Sequence, residues 1–483
     1  MAASMMIFVL LSLVLLSVGY PTAEAEGKES WSYVNVRKDA HMFWWLLYAH
    51  KPGDGYKSAP LIIWLQGGPG ASSTGYGNFA EIGPLDVFQR PRNHSWVHFA
   101  NLLFVDNPVG AGYSYVTDDG AYARNESQIA DDLVALLSVF LTKLPEFQVV
   151  PLYIFGESYG GKMAAIFALA LNKAVSSGRI HCQLRGVVLG DGWLSPIDST
   201  ATWGPYLYTM SMLDKGDLLS LHQVVLSIRD ALDHRKLVKA TQLWTTAEDL
   251  VETLTNGVDW YNILAQQSKQ LGHGTVSFPK GHVLHRAFER HVAPLYADSL
   301  SALMNGPIRD KLSVIPANVS WGGQSTGVFE HLQEDFLLPA VATVDRLLNE
   351  TDIRVVVYGG QLDLIVDALG TLQWLDRLSW PGMTGFREAQ KRVLLVDGAT
   401  AAFYKSYKNL ALFWMLKAGH MVGTQVPRNY ANLAARVQKL ISATVTDAGS
   451  GTAASCCHHW RSVCCSSSAI PDAPRRPATL AND

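Results

Sequence analysis

The residues best suited to covalent chemistry are Gly156-Glu157-Ser158-Tyr159-Gly160, a serine flanked at two residues' distance by glycines. A serine in this pattern acts as an acyl-transfer nucleophile when it sits on a tight strand-to-helix turn. There its hydroxyl is exposed, and amide N–H groups point at a developing oxyanion. Side chains at Gly156 and Gly160 would collide with neighbouring backbone in such a turn. A serine hydroxyl is a weak nucleophile at neutral pH, so it needs a general base, and the base needs an acid to orient it. With the serine first in the chain, acid and histidine are expected downstream, each in a loop after a strand. Asp363 follows Val355-Val356-Val357-Tyr358 and is the leading acid. Asp397, after Val393-Leu394-Leu395-Val396, competes with it, and Asp367 is a third candidate. His420 ends the apolar run that starts at Leu410, whereas His98 lies upstream of the serine and breaks the order.

These groups need a rigid frame, and the chain supplies apolar runs bounded by turn residues. Leu61–Leu65, Leu102–Val105 and Leu152–Phe155 are continuous rather than alternating in hydrophobicity, as in strands of a parallel sheet covered on both faces. Ser127–Leu141 repeats apolar residues at helical spacing and predicts a crossover helix before the serine's strand. Leu184–Gly192 and Ile353–Tyr358 resume the strand pattern, so the fold class is α/β, with a central, mostly parallel sheet. Between Pro196 and Pro339 the texture turns helical and more charged, with helix-like stretches over Asp217–Val238 and Ala247–Leu254. The expected organisation is a leader over 1–25, the first part of the core over 26–195, a helical insertion over the site at 196–339, the second part at 340–445, and an irregular tail over 446–483.

The composition, 48% hydrophobic and 17% charged with a formal charge of −3, permits a deep core and argues against a nucleic-acid-binding surface. Met5–Leu16 is apolar and is followed by Pro21 and Ala23-Glu24-Ala25, the pattern of a cleaved secretory leader. The run is shorter than the about 20 residues a bilayer span needs, so no stable membrane span is expected. Entry into the secretory route gives meaning to four Asn-x-Ser/Thr sequons, at Asn93, Asn125, Asn318 and Asn349. Of the cysteines only Cys182 lies in the globular part; Cys456, Cys457, Cys464 and Cys465 crowd the tail. The core must therefore be held by burial rather than by disulfides. Adjacent cysteines lack the spacing that wraps one ion, so no metal is expected despite His458 and His459 between them.

Beyond the elbow, Trp64-Leu65-Gln66-Gly67-Gly68-Pro69-Gly70, the stretch Val105–Ser114, Gly360-Gln361-Leu362-Asp363 and Ala418-Gly419-His420-Met421 follow in order. This set resembles the serine carboxypeptidase family over about residues 30 to 445. The resemblance implies an α/β-hydrolase fold and removal of single residues from peptide C-termini, with Ser158, Asp363 and His420 as triad and no cofactor. It further implies that the oxyanion donors are the backbone N–H groups of Gly68 and Tyr159. The substrate's terminal carboxylate would be held by Glu81 and Glu157, sharing protons, together with Gln66 and Gly67. Crowded, partly buried carboxyls have raised pKa values, so tighter binding is expected below neutral pH. The chain departs from the family in Gln66, where many members carry Asn, in Ala71, and in Val366-Asp367. It departs again in Val422-Gly423-Thr424-Gln425-Val426-Pro427, a loop expected to hold His420 less firmly.

The expected partners are peptides with a free C-terminus, in the secretory pathway, either secreted or lysosomal, and a homodimer is compatible with the sequence. Two other classes stay open at this point: an esterase or acyltransferase on the same scaffold, and a catalytically silent binding protein.

Overall fold

A computed structural model describes residues 27–265 and 283–443. The expected leader and the cysteine-rich tail lie outside the described residues. Eleven strands form one sheet. In chain order they are β1 (Glu29–Arg37), β2 (Ala40–Leu47), β3 (Leu61–Leu65), β4 (Asn101–Val105), β5 (Tyr115–Val116), β6 (Pro151–Glu157), β7 (Gln183–Gly190), β8 (Arg354–Gly360), β9 (Arg392–Val396), β10 (Ala399–Tyr407) and β11 (Leu410–Met415). Their spatial order is β1-β2-β4-β3-β6-β7-β8-β11-β10-β9, with β5 beside β2. The middle of the sheet, from β4 through β11 in that order, is parallel, and the pairs at both edges are antiparallel.

The continuous apolar runs become these central strands because both sheet faces are covered. Along β3, β4 and β8 every residue is buried. Alternate residues enter two different cores: Leu61, Ile63, Val187, Val355 and Val357 on one face, and Ile62, Trp64, Val188, Val356 and Tyr358 on the other. The outermost strand β9 is mostly exposed, and its run of hydrophobic residues includes Leu395 at 60% exposure.

The crossover helix is α1 (Glu126–Lys143), capped by Asn125, whose side chain accepts from Gln128 N–H. After β6 comes α2 (Tyr159–Ser176), which packs beside α1 through Met163 and Phe167 in the same core as Leu133 and Leu137. Among the described residues between β7 and β8 lie α3 (Pro196–Thr209), α4 (Lys215–Asp233), α5 (Leu237–Thr255), α6 (Val283–His291), α7 (Ser325–His331) and α8 (Val341–Glu350), with shorter helical turns between α6 and α7. The helix expected over Asp217–Val238 is broken: Arg235 adopts φ 52° and ends α4 before α5 begins. Three polar residues, His234-Arg235-Lys236, form the break. Leu221, Ile228, Trp244 and Val251 of α4 and α5 join the core that holds Val187 and Val355, so this region shares the sheet's own core. No helix among the described residues is long and apolar enough to cross a membrane.

Candidate active site

The serine's position is set by the turn from β6 into α2. Ser158 has φ 62° and ψ −126°, a conformation costly for a residue with a side chain and sustained here by its surroundings. Its N–H donates to Gly190 O at 2.9 Å, and its C=O accepts from Gly161 and Trp193 N–H, each at 2.9 Å. The flanking glycines are required by close approach: a Cβ on Gly156 would lie 2.1 Å from Gly160 O, and one on Gly160 would lie 2.1 Å from Leu65 O. The loop after β3 folds onto this turn, so that a Cβ on Gly67 would come within 2.7 Å of Ser158 Cβ and 3.0 Å of Tyr159 N. Tyr159 opens α2, where the backbone N–H has no intrahelical partner, and Gly68 lines the same cavity as Ser158.

Asp363 stands in the loop after β8, and His420 in the loop after β11. The His420 Nδ1–H donates to Asp363 Oδ2 at 2.7 Å, and both side chains are fully buried. That bond fixes the tautomer that leaves Nε2 free to accept a proton. Nε2 is buried and makes no hydrogen bond, and His420 lines the cavity onto which Ser158 also opens. The competing acids have other partners. Asp367 caps the helix Ala368–Asp376, accepting from Leu369 and Gly370 N–H and from Thr202 Oγ1 at 2.6 Å. Asp397 occupies the exposed turn between β9 and β10, paired with Arg428.

The loop after His420 is held by contacts that the sequence comparison did not suggest. Gln425 Oε1 accepts from Gly419 N–H at 2.7 Å and from Asn262 Nδ2 at 3.0 Å, so the expectation of a loosely held histidine is not met. The His420 N–H donates to Tyr261 O at 2.8 Å, and the two rings lie 5.1 Å apart. Tyr261 and His291, both from the region between β7 and β8, line the cavity, and the Tyr261 hydroxyl meets His291 Nδ1 at 2.9 Å. His291 Nε2 is in turn bonded to Glu248. Sequence reasoning missed these groups because only tertiary packing brings them to the site. The cavity wall otherwise holds Gln66 and the largely apolar side chains of Trp193, Trp244, Leu295, Phe336, Ile365 and Met421.

Glu81, Glu157 and Gln66 meet in a buried cluster, of which Gln66 lines the cavity with Ser158. Gln66 Oε1 accepts from Trp64 Nε1 at 2.8 Å, which turns Gln66 Nε2 onto Glu157 Oε1 at 3.0 Å. Burial pushes the Glu81 carboxyl up to about 7. Burial, with the neighbouring Glu81, raises Glu157 well above the ordinary carboxyl range. One further carboxyl, Asp191 at the end of β7, comes close to Asp363 and His420; ligand-type atoms of the three lie within 4.8 Å of one another. Its signal in the sequence was Gly190-Asp191-Gly192 at a strand end, the same placement as Asp363.

A central parallel sheet with antiparallel edges, a serine on the β6–α2 elbow and a histidine–aspartate pair from later loops define an α/β hydrolase. The family model for serine carboxypeptidases matches residues 21–439. Among curated relatives, retinoid-inducible serine carboxypeptidase of Mus musculus is 49% identical over 87% of this chain and 92% of its own length. Serine carboxypeptidase-like 51 of Arabidopsis thaliana is 40% identical over 83% and 90%. Among solved structures, the prohormone-processing carboxypeptidase KEX1(delta)p of Saccharomyces cerevisiae aligns with a TM-score of 0.72 at 20% identity, covering 86% of this chain and 93% of that one; the likeness concerns the fold. The chain belongs to the serine carboxypeptidase family, and the expected α/β-hydrolase fold and serine-type carboxypeptidase class are borne out.

Proposed function

We propose that Ser158, His420 and Asp363 hydrolyse the C-terminal peptide bond of peptide substrates through an acyl-enzyme, most efficiently at acidic pH, along the secretory route or in the lysosome. The observation that carries the reading is the placement of two buried, proton-retaining carboxyls, Glu81 and Glu157, beside the serine loop. Ionised, they would repel a terminal carboxylate; protonated, each offers an O–H donor to it, with Gln66 and Gly67 alongside. Ser158 Oγ attacks the scissile carbonyl carbon while His420 Nε2 takes the hydroxyl proton, and Asp363 holds the resulting imidazolium. The oxyanion is stabilised by the N–H groups of Gly68 and Tyr159. Collapse breaks the C–N bond as Nε2 returns the proton to the leaving amine, and water then cleaves the ester by the same route reversed.

All four sequon asparagines are exposed, which supports glycosylation at Asn93, Asn125, Asn318 and Asn349. The test is hydrolysis at pH 5 of N-blocked dipeptides, their C-terminal amides and simple esters. A strong preference for the free acid is expected. Equal turnover of acid and amide, or turnover of esters alone, would overturn the exopeptidase reading in favour of an esterase.

A further inference from the structure

Asp191 takes no part in the steps above, yet it is buried against them. It follows β7 directly, with φ 42°, and its own N–H donates to Tyr358 O at 2.8 Å. Its Oδ1 accepts from Gly360 N–H at 2.7 Å, on the strand that delivers Asp363. Its Oδ2 is buried and accepts from no N–H or O–H group. The titratable groups facing it are Asp363 and His420 from the loops after β8 and β11, Glu81 and Glu157, and the hydroxyls of Tyr358 and Tyr430. Two carboxyls in contact in a dry site do not both ionise; one keeps a proton and offers it to the other. Asp363 already accepts from His420 and from Val366 N–H at 3.2 Å, which favours it as the ionised member. Burial, and next the charge of Asp363, raise Asp191 well above the ordinary carboxyl range.

We propose that Asp191 is a positioning residue that stands protonated and donates its carboxyl hydrogen to Asp363, fixing the triad acid in the orientation that faces His420 Nδ1. The orphan Oδ2 is then the donor atom rather than an unsatisfied acceptor. Nothing is consumed in this role: the proton stays on Asp191 through the cycle while His420 gains and loses its own. The inference rests on the triad assignment made above, and it adds that the acid is held from β7 as well as from its own loop.

The test compares Asp191→Asn, which keeps an N–H donor on a side chain of the same length, with Asp191→Leu, which fills similar volume without one. kcat and KM for an N-blocked dipeptide are measured at pH 5.5, together with the rate at which a fluorophosphonate labels Ser158. The Asn variant is expected within about 3-fold of wild type in kcat and in labelling rate. The Leu variant is expected to lose on the order of 100-fold in both, with KM within 2-fold. Equal loss in both folded variants would overturn the proposal, because a donor would then not suffice; so would full activity in the Leu variant. Should the Leu variant not fold, the alkaline limb decides: wild-type kcat falls as Asp191 loses its proton, while the Asn variant stays level, and superimposable limbs refute the role. Labelling needs no peptide, so a wild type that labels without cleaving peptides defeats the exopeptidase reading and leaves this comparison intact.

Discussion

Glu81→Gln isolates the carboxyl pair from the rest of the machinery. Glu81 sits on the helical segment Ser73–Ile82, 3% exposed, with its proton held up to about pH 7 by burial. If only the protonated carboxyl receives the substrate carboxylate, the apparent KM scales inversely with the protonated fraction. A single group titrating near 7 is protonated about 97% at pH 5.5 and about 9% at pH 8, so wild-type KM should rise roughly 10-fold, or about 1.4 kcal/mol of binding. Glutamine cannot ionise and keeps an N–H donor, so the variant's KM should stay level. It should therefore bind about 10-fold better than wild type at pH 8 while remaining close to it at pH 5.5. The assay is initial rates across this range at fixed ionic strength, with an N-blocked dipeptide and its C-terminal amide side by side. A wild-type KM that does not change with pH, or a variant that follows the wild-type slope, would refute the reasoning. The same rise with the amide would trace the effect to a group that does not read the carboxylate.

Gln425→Ala should lower kcat about 5- to 10-fold with little change in KM, since two hydrogen bonds that seat the His420 loop, each worth about 1 kcal/mol, are lost; saturation kinetics at pH 5.5 measure it. Gly160→Ala should fail to yield stable protein, at a cost of about 3 kcal/mol or more, because the new Cβ would meet the Leu65 carbonyl at 2.1 Å; soluble yield and thermal melting report it. Glu126, buried beside the Lys162–Asp335 ion pair, is raised to about 8 chiefly by burial. Its folded-state value lies above the unfolded one, so its contribution is fully present below about pH 4.5 and is lost as pH rises toward 8. Glu126→Gln should remove about 2 kcal/mol of the fall in unfolding free energy between pH 5.5 and 7, read from denaturant curves at each pH.

What the sequence made legible follows from where the signals lie. Ser158, Asp363 and His420 each leave an apolar run at its C-terminal end, so chain order and strand pattern alone brought them together. Choosing among Asp363, Asp367 and Asp397 was different, because it depends on which carboxyl reaches Nδ1 of the histidine. In the sequence Asp367 lies four residues past Asp363, where the chain begins to look helical, and in the fold its oxygens are taken by Thr202 and a helix N-terminus. The partnership of Glu81 with Glu157 came from family likeness, not from any periodicity that joins them. Tyr261, His291 and Asp191 stayed hidden because their roles arise from burial against groups distant in the chain. The break at Arg235 was missed because the residues around it are as polar as an exposed helix face and mark no stop.

The carbonyl of Tyr261, which receives the His420 amide, means that the segment between β7 and β8 cannot be exchanged like a lid on a finished vessel. A chimaera that kept this sheet and borrowed that segment from another hydrolase would import a different seat for its base. Altered turnover in such a hybrid would then be no measure of changed substrate choice. Inheritance of the two regions must for the same reason be joint: drift in one is tolerated only as far as the other still meets it, at that peptide group and at the Asn262–Gln425 bond.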